Sequence, residues 1–217
     1  MKKYIFFLLY PLFLSCQQQP NSRPQTNNTA TVSGSTANDT VISPSAKDSL
    51  SPILVIKQQF ALINSKLLGK TLDSTVREYD CQQERGGKVS YYSDKGKLVV
   101  IRHTYNEHDH FSATDTYFMT DDKLFFAYLT STTWEFVSGG ASESLTKDNT
   151  IAQRIYLDGG KAILCLEQNY EQLSTATHTN PINPVNKQVA CKSLQPLLKE
   201  LRQLLAFRNS KGNCLDK

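Results

Sequence analysis

A seven-residue pattern occurs three times in the middle of the chain: Tyr92-Ser93-Asp94-Lys95-Gly96-Lys97-Leu98, Phe118-Met119-Thr120-Asp121-Asp122-Lys123-Leu124 and Tyr156-Leu157-Asp158-Gly159-Gly160-Lys161-Ala162. In each, an aromatic residue stands five positions before a lysine, Asp or Gly fills the gap, and an apolar run follows. Asp and Gly tolerate the positive φ of tight hairpin turns, and the flanking β-branched and aromatic residues suit a pleated ladder. Three consecutive hairpins make an antiparallel meander. The pattern predicts about six strands, near 88–93, 97–105, 112–119, 123–131, 150–157 and 161–168, with Val76 to Cys81 available as a seventh.

Neither face of this meander reads as fully wet. After Lys123, Leu124, Phe126 and Tyr128 alternate with Phe125, Ala127 and Leu129, and after Lys97, Val99 and Ile101 alternate with Leu98 and Val100. Such strands need helices on one side and further shelter, from loops, curvature or a partner, on the other. Two helices are available. Ser51-Pro52 offers a cap and an N-terminal proline, followed by Ile53, Ile56, Phe60, Ile63 and Leu67 on one stripe up to about Gly69. Near the end of the chain Ser193 is placed to cap a helix whose Leu194, Leu197, Leu198, Leu201, Leu204 and Leu205 form one face, with Lys199, Glu200, Arg202 and Gln203 opposite. The expected fold is α+β: a β-meander of about six strands with an N-terminal and a C-terminal helix packed on it.

Cys81, Cys165, Cys191 and Cys214 form an even set, which in an exported chain suggests two disulfides with three connectivities. A helix from about Ser193 to Arg208 spans roughly 24 Å. The chain from Arg208 to Cys214 recovers at most about 20 Å. Joining Cys191 to Cys214 is therefore strained, which also disfavours Cys81 with Cys165 and leaves Cys165 with Cys191 and Cys81 with Cys214.

Export itself is read from the N-terminus. Lys2 and Lys3 precede an apolar run from Tyr4 to Leu14, which is too short for a bilayer core of about 30 Å and is interrupted by Pro11. Leu12-Phe13-Leu14-Ser15-Cys16 resembles the lipobox of bacterial lipoproteins. Residues 1–15 are accordingly expected to be a signal peptide, with Cys16 lipidated by palmitate-like chains that anchor the protein in a membrane. Gln17 to Asp48 holds 18 Ser, Thr, Asn or Gln among 32 positions and no aromatic residue. It cannot bury enough apolar surface to offset its ordering entropy, so residues 16–48 read as a disordered tether reaching on the order of 30 Å. Residues 49–217 are left as the globular domain. Asp39-Thr40-Val41 and Asp48-Ser49-Leu50 match the short Asp-Ser/Thr-apolar pattern of bacterial O-glycosylation sites.

The formal charge of +4, falling to +2 without Lys2 and Lys3, is balanced and scattered, so nucleic acid is not an expected partner. Gly-x-Ser-x-Gly, His-Glu-x-x-His and phosphate-cradling glycine motifs do not occur in the sequence, which points away from an enzyme and calls for no cofactor. One constellation suits a metal: His108 and His110 point the same way in an extended segment, and His103 or Glu107 could complete the shell. It underlies the alternative of a metal-dependent enzyme.

The segments Glu78-Tyr79-Asp80, Gly86-Gly87, Tyr91-Tyr92, Leu98 to Ile101, Tyr105-Asn106-Glu107, Thr116-Tyr117-Phe118, Lys123 to Phe126 and Arg154-Ile155-Tyr156 resemble uncharacterised cell-envelope lipoproteins of Bacteroidetes-type bacteria, with Asn106 in place of a glycine. The resemblance covers residues 50 to 168. It implies fold and location and carries no catalytic residues. The expected function is a binding or interaction module of the cell envelope, on an outer-membrane lipoprotein facing the periplasm, surface exposure being the other option. Its partner would be an envelope protein or glycan, met by an aromatic face of Tyr92, Tyr117, Phe126 and Tyr128. An inhibitor of lysozyme or protease is a further alternative.

Overall fold

A computed structural model describes residues 50–82, 84–137, 145–174 and 184–215. The signal peptide, Cys16, the tether and the glycosylation pattern at 39–41 lie outside the described residues, as does all of the second pattern except Leu50. From Pro52 onward the elements are α1 (Pro52–Leu68), β1 (Asp73–Cys81), β2 (Arg85–Asp94), β3 (Lys97–Glu107), β4 (Phe111–Thr120), β5 (Lys123–Phe136), β6 (Thr146–Asp158), β7 (Lys161–Leu173), β8 (Lys187–Val189) and α2 (Gln195–Phe207). The strands form one antiparallel sheet whose spatial order is their chain order, β1 to β8. The meander is as expected, but it has eight strands where the sequence pattern suggested about six. The two edge strands carry little signal: β1 buries only Tyr79, and all three residues of β8 are exposed.

The threefold pattern makes three copies of one bulged hairpin. Each turn holds two residues at positive φ, Lys95 and Gly96, Asp121 and Asp122, Gly159 and Gly160, the geometry that matches the twist of the flanking strands. Just inside each turn the register slips, between Tyr92 and Ser93, Phe118 and Met119, and Tyr156 and Leu157. A bulge adds one residue and reverses the parity of the strand beyond it. Leu124 therefore joins Ala127 and Leu129 on one side of the sheet, while Phe125 joins Phe126 and Tyr128 on the other. Strict alternation had placed them the other way round.

Each face of the sheet is covered by one helix towards the end bearing these turns, termed the upper end. On one face Ile56 and Ile63 of α1 pack with Val100, Phe118, Phe126 and Tyr156, and Phe60 sets its ring edge-on to Phe118 and Phe126, both at 5.0 Å. On the other face Leu197, Leu201, Leu204 and Phe207 of α2 pack with Tyr79, Val89, Tyr91, Ile101, Tyr117 and Ala127. The Tyr91 hydroxyl donates to the Leu204 carbonyl at 2.7 Å. The cover that the second face required is thus supplied by the chain's own second helix.

Both helices begin close to where expected, with different caps. The Ser51 side chain makes no cap bond, and its carbonyl instead accepts from the Leu54 and Val55 amides. The N-cap of α2 is Leu194, and Ser193 Oγ accepts from the Gln195 amide at 3.3 Å. Cys165 is bonded to Cys191 and Cys81 to Cys214, the pairing left by the length of α2. One bond lies before the helix and the other after it, so α2 is stapled to the sheet at both ends.

Candidate functional site

Below the apolar contacts of α2, the inward positions of β1–β4 turn polar. His103 is wholly buried between Ile101 and Tyr105 in the β3 alternation. Its Nε2 lies 2.7 Å from the Tyr79 hydroxyl and its Nδ1 3.2 Å from Glu200 Oε1 of α2, at an angle that misses hydrogen-bond geometry. Arg85 of β2 donates from Nη2 to the same Glu200 oxygen at 2.9 Å, and its Nε stands 3.0 Å from Glu107 Oε1. The Tyr105 ring stacks on His103 at 4.4 Å and lies under the Arg85 guanidinium at the same separation. Across the β3–β4 ladder, Asp115 is the partner of His103.

Electrostatics follow from this crowding. Burial lowers the His103 pKa despite Glu200, favouring the neutral ring. A proton on Nδ1 then faces Glu200 and leaves Nε2 to accept from Tyr79. For Glu200, burial alone would raise the carboxyl, but His103 and Arg85 outweigh it and hold it below the usual range. Asp115 has no cation of its own, and burial with Glu200 nearby pushes it up to about 7 against the pull of Arg85 and the Tyr105 hydroxyl. Burial likewise lifts the Tyr79 phenol to about 12.

A hydroxyl, an imidazole and a carboxylate in series can pass a proton. Here, however, Tyr79 is only 5% exposed, with Phe207 against its ring at 5.9 Å. Mechanically, the chain ties β1 and β3 to α2. Leaving one member unpartnered would strand a buried polar group.

The sequence-derived candidates are dispersed. His103 belongs to this network on the α2 side. His110 lies against Trp134 at 3.9 Å on the α1 side, and His108 is an exposed turn residue at φ 54°. The three do not converge, and among the described residues no group of three or more His, Cys, Asp or Glu is placed to hold a metal ion. The aromatic face is also divided. Tyr117 is buried under α2, whereas Tyr92, Phe126 and Tyr128 belong to the α1 cluster, with Phe126 only 4% exposed beneath Phe60.

On the lower half of the α1 face no described helix covers the sheet, although Ala152 and Thr150 there are only 1% and 7% exposed. Register and strand parity set Lys88, Thr104, Thr114, Thr130, Ala152 and Gln168 in one row across β2–β7. The next row is Asn106, Ser112, Thr132, Thr150 and Tyr170. Hydroxyls meet between Thr104 and Thr114 at 3.3 Å and between Thr132 and Thr150 at 3.0 Å. The α1 cluster takes its sheet residues from above these rows. At one corner the Pro184 carbonyl accepts from Gln168, and Asn186 Oδ1 accepts from Arg154 at 2.6 Å. Beside Lys88 and Thr104, Gly86 and Gly87 leave a hollow of about 330 Å³. No family model, curated protein or solved structure matches the chain. The site is therefore read from its own chemistry.

Several of these residues had a signal in the sequence. Arg85, His103 and Asp115 occupy the same parity as Val89, Ile101 and Tyr117, so each is a polar group pointing inward. Glu200 was expected on the wet side of α2, but it lies one position from Leu201 on the flank of the stripe and reaches Arg85. The run Thr130 to Thr133 marked a strand losing its apolar character.

Proposed function

We propose that this chain is a non-catalytic binding module of the cell envelope, held at the periplasmic side of the outer membrane by lipid on Cys16 and the polar tether. One observation carries the reading: α1 and α2 cover the upper half of the sheet, while below α1 the strands carry rows of Thr, Ser, Asn and Gln that no described helix covers. A scaffold that seals its titratable network and presents a flat surface suits recognition better than turnover. The lipobox and tether support the location, because a leash of that length lets such a face sweep the space beside a bilayer.

The test has two parts. Full-length protein fractionates with membranes, and a Cys16→Ala version does not. The mature protein, immobilised, retains an envelope component, and Thr114→Arg with Thr130→Arg, which block these rows without touching α2, abolish retention. Equal retention by the blocked variant would remove this face from the function.

A further inference from the structure

The two edges of the sheet are not alike. β8 is three residues long and begins with Lys187, so it offers little backbone to pair with. β1 runs nine residues, with no proline, no lysine and no slip in its register with β2. Short length, lysine, proline and bulges are what keep a free edge from joining another chain, and β1 has none of them. The Asp80 amide shows which backbone groups face outward: it donates to the Asn213 carbonyl of the tail at 3.0 Å and so points away from β2. With a period of two and no bulge, Ser74, Val76 and Glu78 turn their amides and carbonyls to that same side. Among the described residues nothing bonds to these groups. All three residues are exposed, Val76 at 56%.

This free stretch is self-complementary. An antiparallel two-fold axis through Val76 sets Val76 against Val76 of a second copy and Ser74 against its Glu78. Three outward residues on each strand, each with one amide and one carbonyl, then make about six hydrogen bonds. The side chains agree with that register. Two β-branched apolar groups meet at the axis, and Asp73 of one copy comes diagonally to Arg77 of the other, a guanidinium bonded within its own chain to the Phe207, Ser210 and Gly212 carbonyls. Moving the axis to Arg77 or Glu78 would oppose two like charges directly. Moving it to Thr75 leaves Glu78 facing Leu72, which precedes the strand. Asn213 closes the ladder at Asp80 in either copy.

We propose that β1 pairs with β1 of a second copy, antiparallel about Val76, in an isologous dimer whose two eight-stranded sheets are continuous. The dimer goes beyond the binding reading and does not depend on it. A ladder this short makes a small contact, so the dimer is of the weak, reversible class.

The chain from residue 16 onward, carrying Cys16→Ala so that no acyl group or extra thiol intervenes, is followed by sedimentation equilibrium. A concentration-dependent dimer is expected. Val76→Lys, which opposes two cations at the axis, weakens it about tenfold at low salt with thermal unfolding unchanged. Val76→Cys locates the axis: its Cα pair lies about 5.5 Å apart in the proposed register, within disulfide range, whereas Ser74→Cys pairs lie about 14 Å apart, beyond it. Mild oxidation therefore links Val76→Cys chains in pairs and leaves Ser74→Cys chains single. A chain that stays monomeric up to about 1 mM overturns the proposal, including where the edge is taken by an extended segment of a different protein. A dimer indifferent to Val76→Lys, or one linked by Ser74→Cys in place of Val76→Cys, also overturns it.

Discussion

Asp115 sits where three carboxylates, its own and those of Glu107 and Glu200, share one guanidinium, Arg85. Its folded pKa is pushed up to about 7 by burial and by Glu200, against about 3.9 in an unfolded chain. A carboxyl raised on folding binds its proton more tightly in the native state. Its favourable contribution is full below about pH 4 and is lost as pH rises through about 7. His103 works in the opposite sense: its pKa is depressed by burial, so its contribution is present above the ordinary imidazole value and is lost as pH falls towards the folded one. Asp115→Asn keeps an acceptor for Tyr105 and removes one arm of this balance. Urea unfolding across pH should show the variant gaining stability relative to the native protein as pH rises from about 4 to above 7; a difference that does not change with pH would mean that Asp115 titrates normally. Gly87 is a second decisive residue. A Cβ there would lie 2.4 Å from the Thr104 carbonyl oxygen and 2.8 Å from Tyr105 Cβ, and neither backbone nor Cβ can rotate away. Gly87→Ala is expected to cost about 2–3 kcal/mol in urea unfolding, whereas Gly86→Ala, with nothing nearer than 3.7 Å, should cost far less.

At the scale of elements, local chemistry spoke clearly where it was repeated. Positive-φ turn residues located all three upper hairpins, because nothing else satisfies a two-residue turn of that hand. The stripes of α1 and α2 located both helices. Bulges were not legible, since inserting one residue changes no composition, yet they decide which face Leu124 and Phe125 occupy. The lower reaches of β5–β7 were missed for another reason: hydroxyl-rich strands such as Thr130 to Thr133 lose the apolar alternation that marks a half-buried strand. For the site, His103 was visible as a residue but not as a partner, because Tyr79, Arg85 and Glu200 meet it only through sheet register and the docking of α2. The disulfides follow from element length. Cys81 and Cys214 are 133 residues apart and Cys165 and Cys191 are 26 apart, so loop closure assigns about 5 and about 3.5 kcal/mol respectively. Replacing Cys81 and Cys214 by Ser should therefore destabilise more than replacing Cys165 and Cys191. That first pair also holds the tail where Leu215 is buried and where Arg77 donates to the Phe207, Ser210 and Gly212 carbonyls behind α2. Chemical denaturation of the two double variants checks the ranking, and a reversed order would show that loop entropy is not what these bonds supply.

For the described domain as a whole, the two helices cover equivalent halves of one sheet but are fastened differently. α2 has a disulfide beyond each end, the Tyr79–His103–Glu200–Arg85 chain along its flank and Arg77 on its C-terminal carbonyls. α1 has its apolar stripe and one ion pair, Lys66 with Asp94 at 2.5 Å, both partly exposed, a contact of small net value at a surface. Its outer side leaves Leu54 and Leu62 43% and 60% exposed. Opening of α1 therefore breaks few interactions and leaves the sheet and α2 intact, while opening of α2 requires the disulfides to stretch or the sheet to unfold. Native-state hydrogen exchange should accordingly rank α1 amides well below the global unfolding free energy and α2 amides near it. Phe60→Ala, which removes the ring wedged between Phe118 and Phe126, is expected to cost about 3–4 kcal/mol and to accelerate exchange in α1 and in the strands beneath it, with little change in α2. Because α1 borders the polar rows of the same face, its release would uncover that face upward to Val100 and Phe126 and expose apolar rings above those rows. A Phe60→Ala protein whose α1 and α2 amides lose protection together would show that the two layers unfold as one unit, and this asymmetry would then play no part in how the face is presented.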